Sequence, residues 1–349
     1  MFIPKNLKSL SFPSKNCDAM AAILLFAVIV LGCCTLKPTH THQSRITGQA
    51  AARRLGRLIL KPDEVISQHS EVDAQFTMTS VVGGVNKTET PPPSRVVADV
   101  DYTLDPTHGK HIVAVQGRGG ELISVGQRIR NPIIDALATM TLYMQLNDIG
   151  RAISLTGYDH LFESLRKQGL SPAALKVLKE SIVKLPEDDT TILAWNSAFA
   201  EMAGREYVPG QHFSMPLTFA GLLGTVSATT KVTIMPVAEG CPSTDCLSIR
   251  FEADPVTEAL VSSSSIRIDE ALQINTSTPA IKGGITPGPE DMITTRISGE
   301  RIHDRNTMHV FRDNYTIEYD IDVKRPDDTG GPIRWEYIET HHTTSTVTH

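Results

Sequence analysis

From Glu64 onward the chain alternates apolar and polar residues with a period of two. Val72, Ala74, Phe76 and Met78 share one face of such a run, and Val96 to Tyr102 and His111 to Val115 continue the pattern. Met140, Leu142, Met144 and Leu146 alternate with polar neighbours, Asn147-Asp148-Ile149-Gly150 supplies a turn, and Ile153 and Leu155 return. A period of two places successive side chains on opposite faces, so each run predicts a half-buried strand. Strands resume at Phe213, at Ala259 to Ile268, at Ile293 to Ile302 and at Met308 to Val323, and end with Ile333 to Thr340 before a Thr- and His-rich tail expected to fray.

Between 158 and 204 the period changes to that of a helix. Leu161, Phe162 and Leu165 follow Asp159, a candidate cap, and Gly169 ends that segment. Ser171-Pro172 opens a second, carrying Leu175, Leu178, Ile182 and Leu185. Ile192, Trp195, Phe199 and Met202 make a third, which Gly204 stops. The fold class expected is therefore α+β: a curved antiparallel β-sheet, half-barrel-like, with a three-helix insertion at about 158–204. Phe162, Leu165, Leu178, Trp195 and Phe199 are the candidates to line an apolar pocket between helices and sheet; the alternative is that they are simply core.

The first 60 residues follow another logic. Lys5, Lys8 and Lys15 precede an apolar run from Ala21 to Leu31, which ends at small Gly32. Charged, apolar, small is the order of a secretion signal. The run is about a dozen residues, and a spanning helix needs roughly 20. Val30-Leu31-Gly32-Cys33 resembles the lipobox of bacterial lipoproteins. That resemblance implies cleavage before Cys33, a diacylglyceryl thioether plus an N-acyl chain such as palmitate on Cys33, and a protein held at the membrane of a bacterial cell envelope, facing the periplasm. Leu31 is bulkier than the usual occupant of its position. Cys34 stands where a retention aspartate would hold the protein at the inner membrane, which favours the outer membrane.

The divisions expected are a signal peptide at 1–32, a tether at 33–63 and a β-rich envelope domain at 64–345. Within the tether, Ala51, Leu55, Leu58 and Ile59 fall on one helical face and Arg53, Arg54 and Arg57 on the other. Such a segment either docks its apolar face on the domain or lies on anionic headgroups with its arginines as membrane-surface contacts.

The whole chain carries 33 Lys and Arg against 39 Asp and Glu. The leader takes three lysines and one aspartate with it, which leaves a net charge of −8 and argues against nucleic-acid binding. Of five cysteines, Cys241 and Cys246 flank a turn-rich loop between two alternating runs. That predicts a hairpin with a disulfide across its mouth, worth about 2 kcal/mol in the chain-entropy model.

Candidate chemistry is sparse. Asp99, Asp101 and Asp105 lack the ligand number and glycine turn of a calcium loop, and read as a solvated face. His108 and His111 lie across a turn, and His40, His42, His341 and His342 near the ends, so no metal site is assigned. His303-Asp304 is a turn pair without a nucleophile elbow. Gly117-Arg118-Gly119-Gly120 lacks the spacing of a nucleotide fingerprint and reads as a β-turn. Asn86, Asn275 and Asn314 head glycosylation-type patterns that carry little meaning in a bacterium. No cofactor is implied. The function expected is a non-catalytic envelope lipoprotein that binds a lipid or other apolar ligand. The alternatives are a structural or assembly lipoprotein acting through protein contacts, and an envelope hydrolase whose catalytic residues are distant in sequence.

Overall fold

A computed structural model of the chain describes residues 60–82, 85–129, 132–172, 189–221, 224–235, 245–259, 291–323 and 333–348, with isolated positions at 53, 54, 56, 58, 175, 176, 179 and 241. The leader, Cys33, Cys34, Arg57 and Leu178 lie outside these. Strands dominate: β1 (Arg53–Arg54), β2 (Val65–Val82), β3 (Val85–Glu89), β4 (Ser94–Leu104), β5 (Ile112–Ser124), β6 (Gln127–Ile129), β7 (Thr141–Leu146) and β8 (Ala152–Thr156) come first. Then follow β9 (Glu206–Tyr207), β10 (His212–Gly221), β11 (Gly224–Ile234), β12 (Cys246–Ala253), β13 (Val256–Ala259), β14 (Met292–Asp304), β15 (Val310–Val323) and β16 (Ile333–Thr348). The helices are short: α1 (Pro132–Leu137), α2 (Tyr158–Lys167) and α3 (Thr190–Trp195), the last running into a π-helical turn at Asn196–Ala200.

Fourteen strands form one antiparallel sheet. Its order is β10-β11-β12-β14-β15-β16-β2-β4-β5-β7-β8, with β13 added to β14, β3 to β2 and β6 to β5. The expected α+β fold with a three-helix insertion is thereby corrected. The 3.6-residue spacing did mark real helices at 158–167 and 190–200, but they are brief segments beside a continuous sheet. The middle segment falls largely outside the described residues. Asp159 sits in the first turn of α2, whose cap position is Gly157 in a left-handed conformation.

The sheet curls. Phe219 on β10 packs against Tyr315 on β15, with ring centroids 5.7 Å apart. Four strand spacings separate β10 from β15, about 19 Å in a flat sheet, so only a strongly bent one brings them together. The α3 segment fills the bend. Trp195 packs with its ring tilted against Tyr102 of β4 at 5.4 Å and Phe199 at 4.4 Å, and its indole N–H donates to the Gly150 carbonyl at 3.0 Å. Asn196 then treats the free edge of β8 as a further strand would. Its Oδ1 accepts from the Ala152 N–H at 2.7 Å and its Nδ2 donates to the Ala152 carbonyl at 3.0 Å. An open edge invites pairing with other chains, and this side chain blunts it. Leu165, Trp195 and Phe199 are buried and Phe162 half-buried against the same core, so these four members of the expected pocket lining are core.

Two sequence expectations change with the sheet. Gly117 to Gly120 is not a turn but the middle of β5, where Asp99 faces Gly119 and Val100 faces Gly117, leaving Arg118 as a bulged residue. The C-terminal tail is not frayed. Through Thr348 it pairs with β2 as the other half of a sixteen-residue-pair ladder. Arg53 and Arg54 form a strand against Tyr207 and Glu206, and Arg54 Nε donates to the Gly204 carbonyl. Cys241 and Cys246 are joined by a disulfide, with Cα atoms 6.0 Å apart, between β11 and β12.

Candidate functional site

Alternation gives the sheet two chemically different faces. The outer one is charged. Arg95 meets Asp73 through two hydrogen bonds, Arg118 meets Asp101, Arg334 meets Asp320, and His69 lies between Asp99 at 2.7 Å and Glu71 at 3.2 Å. Those hydrogen bonds, led by the one to Asp99, hold the His69 pKa above its ordinary value. Asp105 accepts from the Thr107 N–H and is bonded to His108 instead. The three aspartates weighed for calcium are therefore each engaged separately. Among the described residues no group of three or more metal-ligating side chains converges.

The inner face is mostly apolar and is crossed by a polar band. Arg301 on β14 stands directly opposite Asp313 on β15, then Thr343 on β16, then Ser70 on β2. Arg301 Nη2 donates to Asp313 Oδ2 at 2.7 Å, with side-chain exposures of 3% and 0%. Arg301 Nη1 also reaches the Ser197 carbonyl at 3.4 Å, which ties the sheet to the α3 segment. Burial pushes the Asp313 carboxyl up, against the pull of Arg301. The Ser70 and Thr343 hydroxyls lie 3.1 Å apart, and Gln68 donates to Ser70.

One register level further along β16, His341 stacks on Tyr315 with centroids 4.2 Å apart and planes 10° apart. Its Nε2 lies 2.9 Å from Glu339 Oε2, with both residues buried. The Tyr337 hydroxyl also bonds Glu339. Tyr319, opposite Tyr337 across the ladder, is buried with a hydroxyl that has no hydrogen-bond partner among the described residues. Among the same residues the buried Trp335 indole N–H, two residues before Tyr337, has none either. Burial, followed by the Glu339 charge, holds both phenols well above their ordinary pKa. The end of β10 closes over this group. A Cβ placed on Gly221 would stand 2.6 Å from Tyr319 Oη and 3.0 Å from Glu339 Oε2, so the backbone approaches only because this residue is glycine.

His303 occupies the inner face near the far end of β14. It is fully buried, with the Met308 backbone as its hydrogen-bonding neighbour. Burial, then the neighbouring Arg301 charge, lowers its pKa to about 3. An imidazole that stays neutral when folded takes up a proton on unfolding anywhere below its ordinary value near 6.5. Folding stability should therefore be greatest above pH 6.5 and fall as the pH drops towards 3, at up to about 1.4 kcal/mol per pH unit. Urea melts at pH 7 and pH 4.5 check this: His303→Leu should flatten the difference, and an equal slope in both proteins would rule the assignment out.

Of these inner-face groups the sequence singled out His303, as half of a turn pair with Asp304, and the structure places both inside β14 instead. His341 was set aside as part of an end, and Glu339, Asp313 and Arg301 read as ordinary strand residues. The usable signal was the alternation itself: Trp335, Tyr337, Glu339, His341 and Thr343 share one face, and a strand whose apolar face turns polar midway marks a buried polar group.

No protein-family description and no curated protein matches the chain. Among solved structures, the lipid–protein complex of lipovitellin aligns over 83% of this chain and 26% of its own, with 8% identity and a TM-score of 0.36. The chain thus spans about a quarter of the lipovitellin chain. The outer membrane protease OmpT from Escherichia coli aligns over 83% of this chain and 99% of its own at 7% identity and a TM-score of 0.16. OccK8 from Pseudomonas aeruginosa aligns over 83% and 100% at 7% identity and a TM-score of 0.18.

Proposed function

We propose that the chain is a membrane-tethered cell-envelope lipoprotein whose inner sheet face binds a lipid or other apolar ligand. The observation that carries this is the polarity of the sheet. A barrel that crosses a membrane turns apolar residues outward and polar ones inward. Here the outward face carries Glu71, Asp73, Arg95, Asp101, Arg118, Asp320 and Arg334, and the inward face carries Val96, Val113, Leu142, Ile293 and Ile317. Such a sheet belongs in water, and attachment has to come from elsewhere in the chain. The leader supplies it, through Cys33 and its acyl chains, in an outer membrane facing the periplasm. Among the described residues no helix is long and apolar enough to cross a membrane.

The second reading, an assembly lipoprotein working through protein contacts, draws on Ile149 and Ile153, exposed on and beside the edge strand β8.

Fractionation tests the attachment. Cys33→Ala should move the protein from the membrane to the soluble fraction, and mass spectrometry of the mature N-terminus should find acyl chains on Cys33. An unmodified N-terminus downstream of residue 33 would sink the lipoprotein reading.

A further inference from the structure

We infer that the Cys241–Cys246 disulfide is a redox-sensitive hold on residues 54–58, the strap by which the domain joins its N-terminal tether, and that a dithiol reductant releases that strap. The strap is knitted in by its backbone. Arg53 and Arg54 pair with Tyr207 and Glu206. The Gly56 N–H donates to the Arg305 carbonyl at 2.8 Å, and the Gly56 carbonyl accepts from the Gly204 N–H at 2.9 Å. A Cβ on Gly56 would stand 1.6 Å from the Asn306 carbonyl oxygen, so the strap lies directly on the turn after β14 and only glycine fits there. Leu58 is then buried against Gly150.

The other side of that turn is held by the disulfide. Asp245 stands inside the ring that the disulfide closes, one residue before Cys246. Its carbonyl accepts from the Arg305 N–H at 2.8 Å, its carboxylate lies 3.6 Å from Arg305 Nη1, and its Oδ2 accepts from Asn306 Nδ2 at 3.3 Å. Arg305 Nη2 donates to the Cys246 carbonyl at 3.1 Å. Arg305 and Asn306 therefore touch the ring on one side and Gly56 on the other. In the chain-entropy model a ring this small makes the opened loop about fortyfold rarer than in the dithiol. Opening the ring loosens Asp245 first, then the turn, then the strap.

The exchange is balanced. A thiolate of the reductant attacks Cys241 Sγ, the half-buried member of the pair, and expels the buried Cys246 as a thiolate, which takes up a proton. The second thiol of the reductant gives up its proton and displaces Cys241, which takes up a proton in turn. The protein gains two electrons and two protons, and the reductant leaves as a disulfide. Once released, residues 54–58 lengthen the span between Cys33 and the domain. That consequence rests on the lipoprotein reading above; release of the strap does not.

Hydrogen exchange of the purified full-length protein, read by mass spectrometry with and without dithiothreitol, tests this. Peptides covering residues 53–58 should exchange at least about tenfold faster after reduction, while those of β2 and β16 keep their rates. Cys241→Ser with Cys246→Ser should show the fast rate without reductant. Gly56→Ala should show it with the disulfide intact, because its methyl group cannot share space with the Asn306 carbonyl. Unchanged exchange over 53–58 after reduction, or a Gly56→Ala variant as protected as the parent, would overturn the hold. Equal acceleration in β2 and β16 would show that the disulfide braces the whole sheet, and would overturn it too. A bond that dithiothreitol leaves intact, scored by thiol alkylation, would remove the redox step. Lipidation of Cys33 does not enter the measurement, so the two readings fail separately.

Discussion

Replacing Asp313 by alanine should cost about 3–5 kcal/mol, because it leaves the buried Arg301 guanidinium without its counter-charge. A domain of this kind is stable by only about 5–15 kcal/mol in total, so the variant should sit close to unfolding at growth temperature. The cost comes from the orphaned charge rather than from the pair as such. Bringing two ions out of water consumes most of what their attraction returns, and an apolar pair of similar volume can match them. The double variant Arg301→Met with Asp313→Leu should therefore recover most of the loss. Urea midpoints at unchanged slope would measure both. A single variant that loses less than about 1 kcal/mol would mean that water reaches the pair.

The second large effect belongs to Trp195. Trp195→Ala should destabilise by about 3–5 kcal/mol, the range for emptying a buried indole site. It removes the ring contacts with Tyr102 and Phe199 and leaves the Gly150 carbonyl without its donor. Trp195→Phe separates the two contributions. It keeps most of the aromatic volume and loses only the hydrogen bond, for about 1–3 kcal/mol. This comparison also decides what the residue is for. If Trp195 lined an occupied pocket, truncation would change ligand affinity and leave the unliganded protein nearly as stable. Its 2% exposure and its place between β4 and the β8 edge point to stability instead.

Strands were legible in the sequence wherever one face is buried. Thr141–Leu146 with Ala152–Thr156, and Met292–Asp304 with Val310–Val323, each announce themselves as alternating runs around a turn, and both are hairpins. Alternation says which face a residue occupies. It does not say which strands are neighbours, so nothing in the sequence set β16 beside β2 or bent β10 over β15. Short helical stripes misled in the opposite way. The spacing of Leu161 and Leu165, and of Ile192, Trp195 and Phe199, was read correctly as helical, but spacing carries no information on whether such segments form a layer of their own. The inner polar band escaped because each member is unremarkable alone. Arg301 becomes notable only opposite Asp313, and the register that places it there spans a bulge between Ile302 and His303.

The pairing of β2 with β16 sets the order in which the molecule can assemble. Val65, in the first long strand of the sheet, lies opposite Thr348, in a strand made far later. Long-range closure of this kind is slow, since the entropy of ordering the whole intervening chain is lost before the contact forms. Until the C-terminal strand arrives, β2 keeps one open edge and the inner band lacks Glu339, His341 and Thr343. A chain with this ordering completes its inner face last, when β16 closes on β2.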